Sequence, residues 1–469
     1  MVKLYAESIL IGSHWQQDKT LSINAEGIIV SIEAGKDSQA VQLDGPVIAG
    51  MSNCHSHAFQ RGFAGLSEYR SGHNADDSFW SWRDIMYRFV AKLTPSDVLQ
   101  ITRFAYLEML KAGYTQVAEF HYLHHQANGQ SYGDPIEMSR QIIEAAQQTG
   151  IGLTLLPVLY TYAGFGQQKA ALQQARFVHQ DDAYLDLLSA IQKDYPQQKN
   201  FKLGNAFHSL RAVSQQQLTE LIPILKKQLA DAPMHIHIAE QAQEVADCID
   251  FYGLRPVEFL LQNFEINHHW CLIHATHLTS DEISGIAQSG AVVGICPTTE
   301  ANLGDGVFPA AEFFEQQGRW AIGSDSHIAI NVSDELRSLE YAQRLTRQKR
   351  VVLVDAKRGY LSVGQNLYLS AMQGGSLACV PHNKAPSSNE IDMAIQVGQR
   401  ANLLVLDPNH PSLFSKQDHF ILDSAIFNAS QLPVKDVYVS GQRIIEDGQH
   451  PQQQKITEDY AKVLKRLLV

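Results

Sequence analysis

Cysteine is scarce and poorly placed for any structural use. Cys54, Cys248, Cys271, Cys296 and Cys379 are scattered over 469 residues, odd in number, with no Cys-x-x-Cys pair. That argues against a disulfide framework or a cysteine zinc site and fits a reducing cytoplasm. Positive charge is also short. The formal net charge is −12, the reverse of the clustered Lys and Arg that a phosphate backbone needs, so nucleic acid is not an expected partner. No apolar run approaches the roughly 18–20 residues of a bilayer span. The opening "MVKLYAESILIG" is too short and too interrupted to act as a secretory leader. A cytoplasmic protein without a membrane partner is the expectation. No GxGxxG turn follows a strand-like run, which counts weakly against a dinucleotide-binding, open doubly wound sheet.

What is present is enough for a large core: 45% of residues are hydrophobic and only 18% charged. The two ends read as short strands, with "KLYAESILIG", "TLSINAEG" and "IIVSIEAG" at one and "RANLLVLDP" and "DVYVSGQRIIEDG" at the other. Neither end could bury a core alone. They are expected to combine into one small β-sandwich, residues 1–47 and 386–469, with a terminal helix over "ITEDYAKVLKRLL". Between them, 48–385, eight apolar runs of strand length alternate with amphipathic segments such as "TPSDVLQITRFAYLEMLKAG". Eight strand–helix units in series predict an α/β fold, a TIM-like (β/α)8 barrel. The open doubly wound sheet is the alternative.

Polar residues fall where those strands end. The first closes on His55-Ser56-His57, the fourth on His208-Ser209-Leu210-Arg211, and the fifth reads His235-Ile236-His237-Ile238-Ala239-Glu240. The sixth carries His274 and His277, the eighth Asp325 and His327. In a barrel these gather at one mouth, where such enzymes work. Residues two apart on a strand share a face. His55 and His57 can thus share one metal ion, a use for which neutral imidazole is well suited. Hydrogen-bonded core histidines are the bland alternative for an isolated pair; the His and Asp on later strands favour metal.

"HSHAFQRG", "HIHIAEQ", "HATHL" and "GSDSH", with the flanking β-segments, resemble the amidohydrolase superfamily over nearly the whole chain. "FWSWRDIMYR", "EFHYLHH", "FHSLRAV" and "SDSHIAIN" are similar to the branch of it that deiminates N-formimidoyl-L-glutamate. The resemblance implies metal ligands His55, His57, His237 and Asp325, a Glu240 acid/base, a catalytic His274 and a catalytic part for Asp325. His235, on the same face as His237, competes for the ligand role; Glu240 belongs with His237 in the family's HxxE pattern, and His235 is read as interior packing. Binuclear relatives use a carboxylated lysine at the end of strand four. Here Lys202 lies near that strand's start, so one divalent ion is expected, zinc first among candidates, although such a ligand set also suits iron or manganese.

Water activated by that ion would add to the planar amidine carbon, and Glu240 would carry its proton to the departing nitrogen. A glutamate moiety brings two carboxylates, which guanidinium forks bind bidentately. The resemblance makes Arg83 and Arg211 substrate binders, with Gln60, Tyr122 and His208. By base rate alone Arg83 reads equally well as a surface salt bridge. The implied partners are a small dicarboxylate and a second copy of the chain. The implied activity is hydrolysis of N-formimidoyl-L-glutamate to N-formyl-L-glutamate and ammonia, a step of histidine degradation. The nearest rival is the same chemistry on guanine, cytosine or an adenosine-like substrate. More distant rivals are a non-enzymatic barrel and a dinucleotide-dependent oxidoreductase. His121, His124, His125, His268 and His269 read as loop or supporting groups, Phe79, Trp80 and Trp82 as packing, and Cys54 and Cys296 as small core fillers.

Overall fold

The two chain ends build one mixed sheet. In the computed structural model, which describes residues 1–68, 79–196, 198–355, 361–380 and 395–468 and leaves the side chains of 79–81 aside, the first five strands are β1 (Val2–Ile11), β2 (His14–Ile23), β3 (Ile29–Ala34), β4 (Val41–Leu43) and β5 (Val47–Ala49). They meet β15 (Leu403–Leu406), β16 (Val434–Val439) and β17 (Gln442–Ile445) in the order β17-β16-β15-β5-β1-β2-β3, with β4 on β1. The join is the antiparallel pairing of β5 with β15. Its apolar core includes Leu4, Ile9, Leu21, Leu403 and Val405. The expected boundary at 47/48 falls inside β5, and the one at 385/386 lies outside the described residues.

The middle is a parallel barrel. Its strands are β6 (Met51–Ser56), β7 (Tyr114–His121), β8 (Gly152–Leu159), β9 (Phe201–Leu203) with β10 (Asn205–Ser209), β11 (Met234–Ile238), β12 (Trp270–His274), β13 (Val292–Ile295) and β14 (Arg319–Ile322). They pair in sequence order from β6 to β14, β9 and β10 together serving as the fourth strand. Every residue of β8, β11 and β12 is buried, as expected of strands covered on both faces. The intervening helices are locally encoded. Thr94, Ser214 and Thr279 form capping boxes with Asp97, Gln217 and Glu282, each worth about 1 kcal/mol.

Closure is made by backbone. Asp325 N donates to His55 O at 3.0 Å, and His57 N donates to Asp325 O at 3.2 Å. Just below, Asn53 Nδ2 donates to Ser324 Oγ (2.6 Å) and Ser324 N donates to Asn53 Oδ1 (3.1 Å). The opposite end of the barrel is covered by the helix Val363–Cys379, whose last carbonyls accept from His235 Nε2 (Ala378 O, 2.8 Å) and from Thr154 Oγ1 (Cys379 O).

Two elements of the C-terminal segment pack on the barrel. The helix Gln453–Leu467 lies on Pro95–Lys111, with Tyr460 stacked on Phe104 (centroids 4.0 Å apart) and Arg466 paired with Asp97. The stretch 400–446, read as strands from its ends, also contains a helix, His419–Phe427, that packs on Val332–Arg347 and Val363–Cys379. Its buried residues Ile421, Leu422, Ala425 and Ile426 recur at helical spacing, which a short apolar run conceals.

A Cβ on Gly374 would run into the Trp320 carbonyl oxygen, a backbone atom of β14 that cannot turn aside. Gly374→Ala is therefore expected to force the capping helix off the barrel floor, lowering the melting temperature by more than 5 °C. Thermal unfolding of the purified variant checks this.

Candidate active site and metal centre

Alternation along β6 and β11 points His55, His57 and His237 into the barrel mouth. His237 Nε2 lies 2.9 Å from His55 Nε2, and Asp325 Oδ1 lies 3.3 Å from His55 Nε2 and 3.4 Å from His57 Nε2. The outer nitrogens of His57 and His237 are engaged elsewhere. His57 Nδ1 donates to Phe120 O (3.0 Å) and His237 Nδ1 to His208 O (2.9 Å). A carbonyl only accepts, so both rings carry their proton outside and turn a lone pair inward, the tautomer a metal requires. Burial, together with the neighbouring imidazoles, lowers His55 and His237, and burial outweighs Asp325 in lowering His57. Three buried imidazoles and a carboxylate facing one point, with the lone pairs of His57 and His237 turned inward, fit a divalent cation.

His274 reaches this centre by a different route. Register places it opposite Ile238, on the parity that faces away from His237. The backbone is left-handed at His274 (φ 70°) and Ala275 (φ 47°), and the ring turns back to stack on His237 with centroids 5.5 Å apart. Asp325 (φ 43°) and Ala239 (φ 51°) share that strained conformation. Such residues cost about 1–3 kcal/mol each and gather where side chains must be aimed. The mutually closest donor atoms belong to His55, His237, His274 and Asp325, all within 4.8 Å of one another. His57 borders the same space through its contact with Asp325.

Carboxylates surround His274. Its Nε2 lies 3.7 Å from Glu240 Oε1 and 3.8 Å from Asp325 Oδ2, and its Nδ1 donates to Glu300 Oε1 at 3.3 Å. Burial opposes the imidazolium, but Glu240, Glu300 and Asp325 together raise His274 well above the usual histidine range. Burial also pushes Glu240 up to about 7, with His274 pulling the other way. The pair is placed to exchange a proton with whatever occupies the mouth.

The mouth opens into one cavity lined by His57, His237, Glu240, His274 and Asp325 together with Arg83 and Arg211. Gln60, Tyr122 and His208, expected beside the substrate, line it too. Gln60 Nε2 donates to Tyr122 OH at 2.9 Å, and His208 sits edge-on to Tyr160 with centroids 4.6 Å apart. Arg211 Nε is buried without a hydrogen-bond partner. Arg83 lies on a helix, Phe79–Val90, inside the connection that the sequence presents as a loop. Its guanidinium stands 5.6 Å from the Tyr87 ring centre.

Other expectations sort themselves. His235 bonds to the floor helix, far from the mouth. Lys202 is on β9, in register with Thr154 on β8, and His208 stands at the other end of that strand. Cys54 and Cys296 are fully buried, and all five cysteines are free. Phe79 and Trp80 fall outside the described side chains.

Three further residues support the site. Glu300 also accepts from Cys296 N at 2.8 Å, which fixes it under His274. Glu119, on β7, accepts from Ser56 Oγ (2.5 Å), Ala58 N (2.7 Å) and Tyr106 OH (3.2 Å), gripping the chain on both sides of His57. His327 bridges Ser56 Oγ and Ser324 Oγ, each at 3.0 Å. His327, at the end of strand eight, is legible as a hydrogen-bonding support; for Glu119 and Glu300 the signal is only a buried polar residue on a strand or helix, which sequence alone does not separate from ordinary packing.

The Amidohydrolase family profile matches residues 47–374, the last sandwich strand through the barrel and most of its floor helix. The chain belongs to the amidohydrolase family. Within it, the chain is 44% identical over its full 469 residues, and the full length of the relative, to a Pseudomonas aeruginosa protein named formimidoylglutamate deiminase. A crystal structure of an amidohydrolase from Brucella melitensis superposes with a TM-score of 0.90 at 39% identity, covering 100% of both chains. An adenosine deaminase from Xanthomonas campestris, solved with bound zinc, shares the fold at a TM-score of 0.79 and 20% identity, covering 99% of this chain and 98% of that one.

Glu300→Gln keeps an oxygen for Cys296 N but removes the charge that steadies His274. Turnover is expected to fall about 10–100-fold, the usual cost of losing such a supporting partner, with bound metal unchanged. Steady-state kinetics and metal analysis on one preparation check it.

Proposed function

We propose that this chain is a metal-dependent deiminase that converts N-formimidoyl-L-glutamate and water to N-formyl-L-glutamate and ammonia. The observation that carries this reading is one cavity joining the imidazole–carboxylate cluster to two guanidinium groups, in a chain 44% identical end to end to a formimidoylglutamate deiminase. A dicarboxylate whose reactive group lies at one tip matches that polarity.

His55, His57, His237 and Asp325 would hold a single ion, which we assign as Zn2+. Such an ion supplies Lewis acidity and draws the pKa of a bound water toward neutrality. The residues do the rest. A C–O bond forms at the formimidoyl carbon and a C–N bond breaks. Amide ion is too poor a leaving group, so nitrogen must receive a proton. Glu240, buried and 3.7 Å from His274, takes the proton from water and delivers it to that nitrogen. His274, held as imidazolium between three carboxylates, donates toward the oxygen on which negative charge grows. Asp325 serves as ligand and as a second acceptor. Arg211 and Arg83 bind the two carboxylates, and Gln60, Tyr122 and His208 shape the space between.

The aromatic lining (Tyr87, Tyr122, Tyr160, Phe177) would also suit a flat base such as guanine, cytosine or an adenosine derivative. Two guanidiniums have no carboxylate to meet there, which favours the dicarboxylate. Five free buried cysteines and the absence, among the described residues, of any helix long and apolar enough to cross a membrane are compatible with a cytoplasmic enzyme of histidine degradation, which we take to act as a homodimer without nucleic-acid or membrane partners.

Ammonia release from N-formimidoyl-L-glutamate, beside guanine, cytosine and adenosine and with and without chelator, tests the reading. Turnover of the first alone, lost on metal removal and restored by zinc, is expected; equal turnover in stripped protein would sink it. Glu240→Gln should retain its metal and lose about three orders of magnitude or more in kcat, within the range of a lost general acid/base. Arg211→Ala should raise KM about 100-fold or more, the cost of one lost charge-assisted contact.

A further inference from the structure

The distal end of the cavity depends on a residue that does not line it. Arg176 follows β8 and is 2% exposed. Its cation faces carbonyl oxygens. Nη1 donates to Val90 O (2.5 Å) and Leu93 O (2.9 Å), and Nε donates to His125 O (2.8 Å). Its own carbonyl accepts from His124 N and His125 N, each at 3.0 Å. Val90 is the last residue of the helix Phe79–Val90. Val90 O also accepts from Leu93 N at 3.1 Å, and carbonyls at a helix C-terminus carry partial negative charge, so the buried guanidinium adds a second, charged donor there.

That helix carries Arg83 seven residues, two turns, before Val90. One side chain thereby ties the Arg83 helix to the connections after β7 and β8. The residues beside Arg176 serve the same wall. Phe177 packs against Tyr122 (5.0 Å between centroids), Tyr160 (6.0 Å) and Tyr87 (6.1 Å). Gln174 Nε2 donates to Tyr160 OH at 2.5 Å. Of the proposed metal ligands, His57 meets this wall edge-on at Tyr122 (4.9 Å between centroids), while Arg176 itself bonds to carbonyls of Val90, Leu93 and His125.

We propose that Arg176 is a specificity-determining positioning residue: it sets the reach of Arg83 to the substrate's distal carboxylate and leaves the hydrolytic end of the cavity untouched. This rests on Arg83 binding a carboxylate, as proposed above. Lysine in its place keeps the charge but offers a single point where the fork spans three carbonyls.

The test is steady-state kinetics on metal-loaded Arg83→Ala, Arg176→Lys, Arg176→Gln and Arg83→Ala/Arg176→Lys proteins with N-formimidoyl-L-glutamate, alongside melting temperature and metal content. Arg176→Lys should raise KM about tenfold with kcat within about twofold of wild type, and should add nothing to Arg83→Ala, because residues acting through one contact are non-additive. An unchanged KM in folded Arg176 variants, a fall in kcat instead, or the same KM increment on the Arg83→Ala background overturns the proposal. So does failure of both single Arg176 variants to give folded, metal-loaded protein, which would make Arg176 a folding residue. If Arg83→Ala itself leaves KM unchanged, the dicarboxylate reading fails and takes this proposal with it. If Arg83→Ala raises KM and Arg176→Lys does not, only the role of Arg176 falls.

Discussion

The barrel closes through the residues proposed to hold its metal. The two backbone bonds that join its first and last strands run between Asp325 and His55 and between His57 and Asp325, and the side chains of those three residues converge at 3.3–3.4 Å. A barrel that failed to close here would also lack a metal site. Asn53 with Ser324 stitches the seam below this level, and Ser56, His327 and Glu119 stitch it beside.

Electrostatics then divides the mouth into two ends. At the metal end, burial keeps three imidazoles neutral and available, while three carboxylates hold a fourth imidazole charged. Arrangements that push like groups apart in this way are how one site obtains a ligand set and a proton carrier from the same residue type. At the other end, Arg211 and Arg83 face the cavity, with Arg211 also offsetting Glu240 and Glu244. An anionic substrate would be drawn in with its charged end away from the acids that must act on its nitrogen.

Much of this was legible in the residues. The eight strand–helix alternations and the His55-x-His57 and His235-x-His237 pairs follow from the two elementary periods of strand and helix. The choice between His235 and His237 came from resemblance; geometry supplies its reason, since His235 is spent on the floor helix. His274 and Asp325 were named, yet alternation does not aim them. Their left-handed backbones do, and no glycine or asparagine at those positions advertises that geometry. Glu300 and Arg176 carry no motif, and the role of Glu119 is not readable from "EFHYLHH", because much of what these residues do is done through backbone carbonyls and amides that leave no trace in a one-dimensional pattern. The helix at 419–427 was hidden for the opposite reason: nine residues are too few for its period to stand out from a strand's.

The placement of the two ends also bears on how such a site could vary. The proposed ligands, with Glu240 and His274, sit on a barrel strand or within three residues of one, in a framework held by a continuous ladder and a sealed seam. The distal wall is made differently: Arg83 on a helix of one connection, Phe177 and Gln174 on another, joined by Arg176 through main-chain carbonyls. Carbonyls are present whatever the side chains are, so that clasp places no demand on the sequence it grips. Arg211 is the exception, a strand-end residue within reach of both Glu240 and the distal wall, and so the one distal group whose position is set by the barrel itself. On the function proposed above, Arg211 is therefore the fixed reference from which the reaction centre is measured, and Arg83 the adjustable one whose spacing would decide how long a dicarboxylate can be.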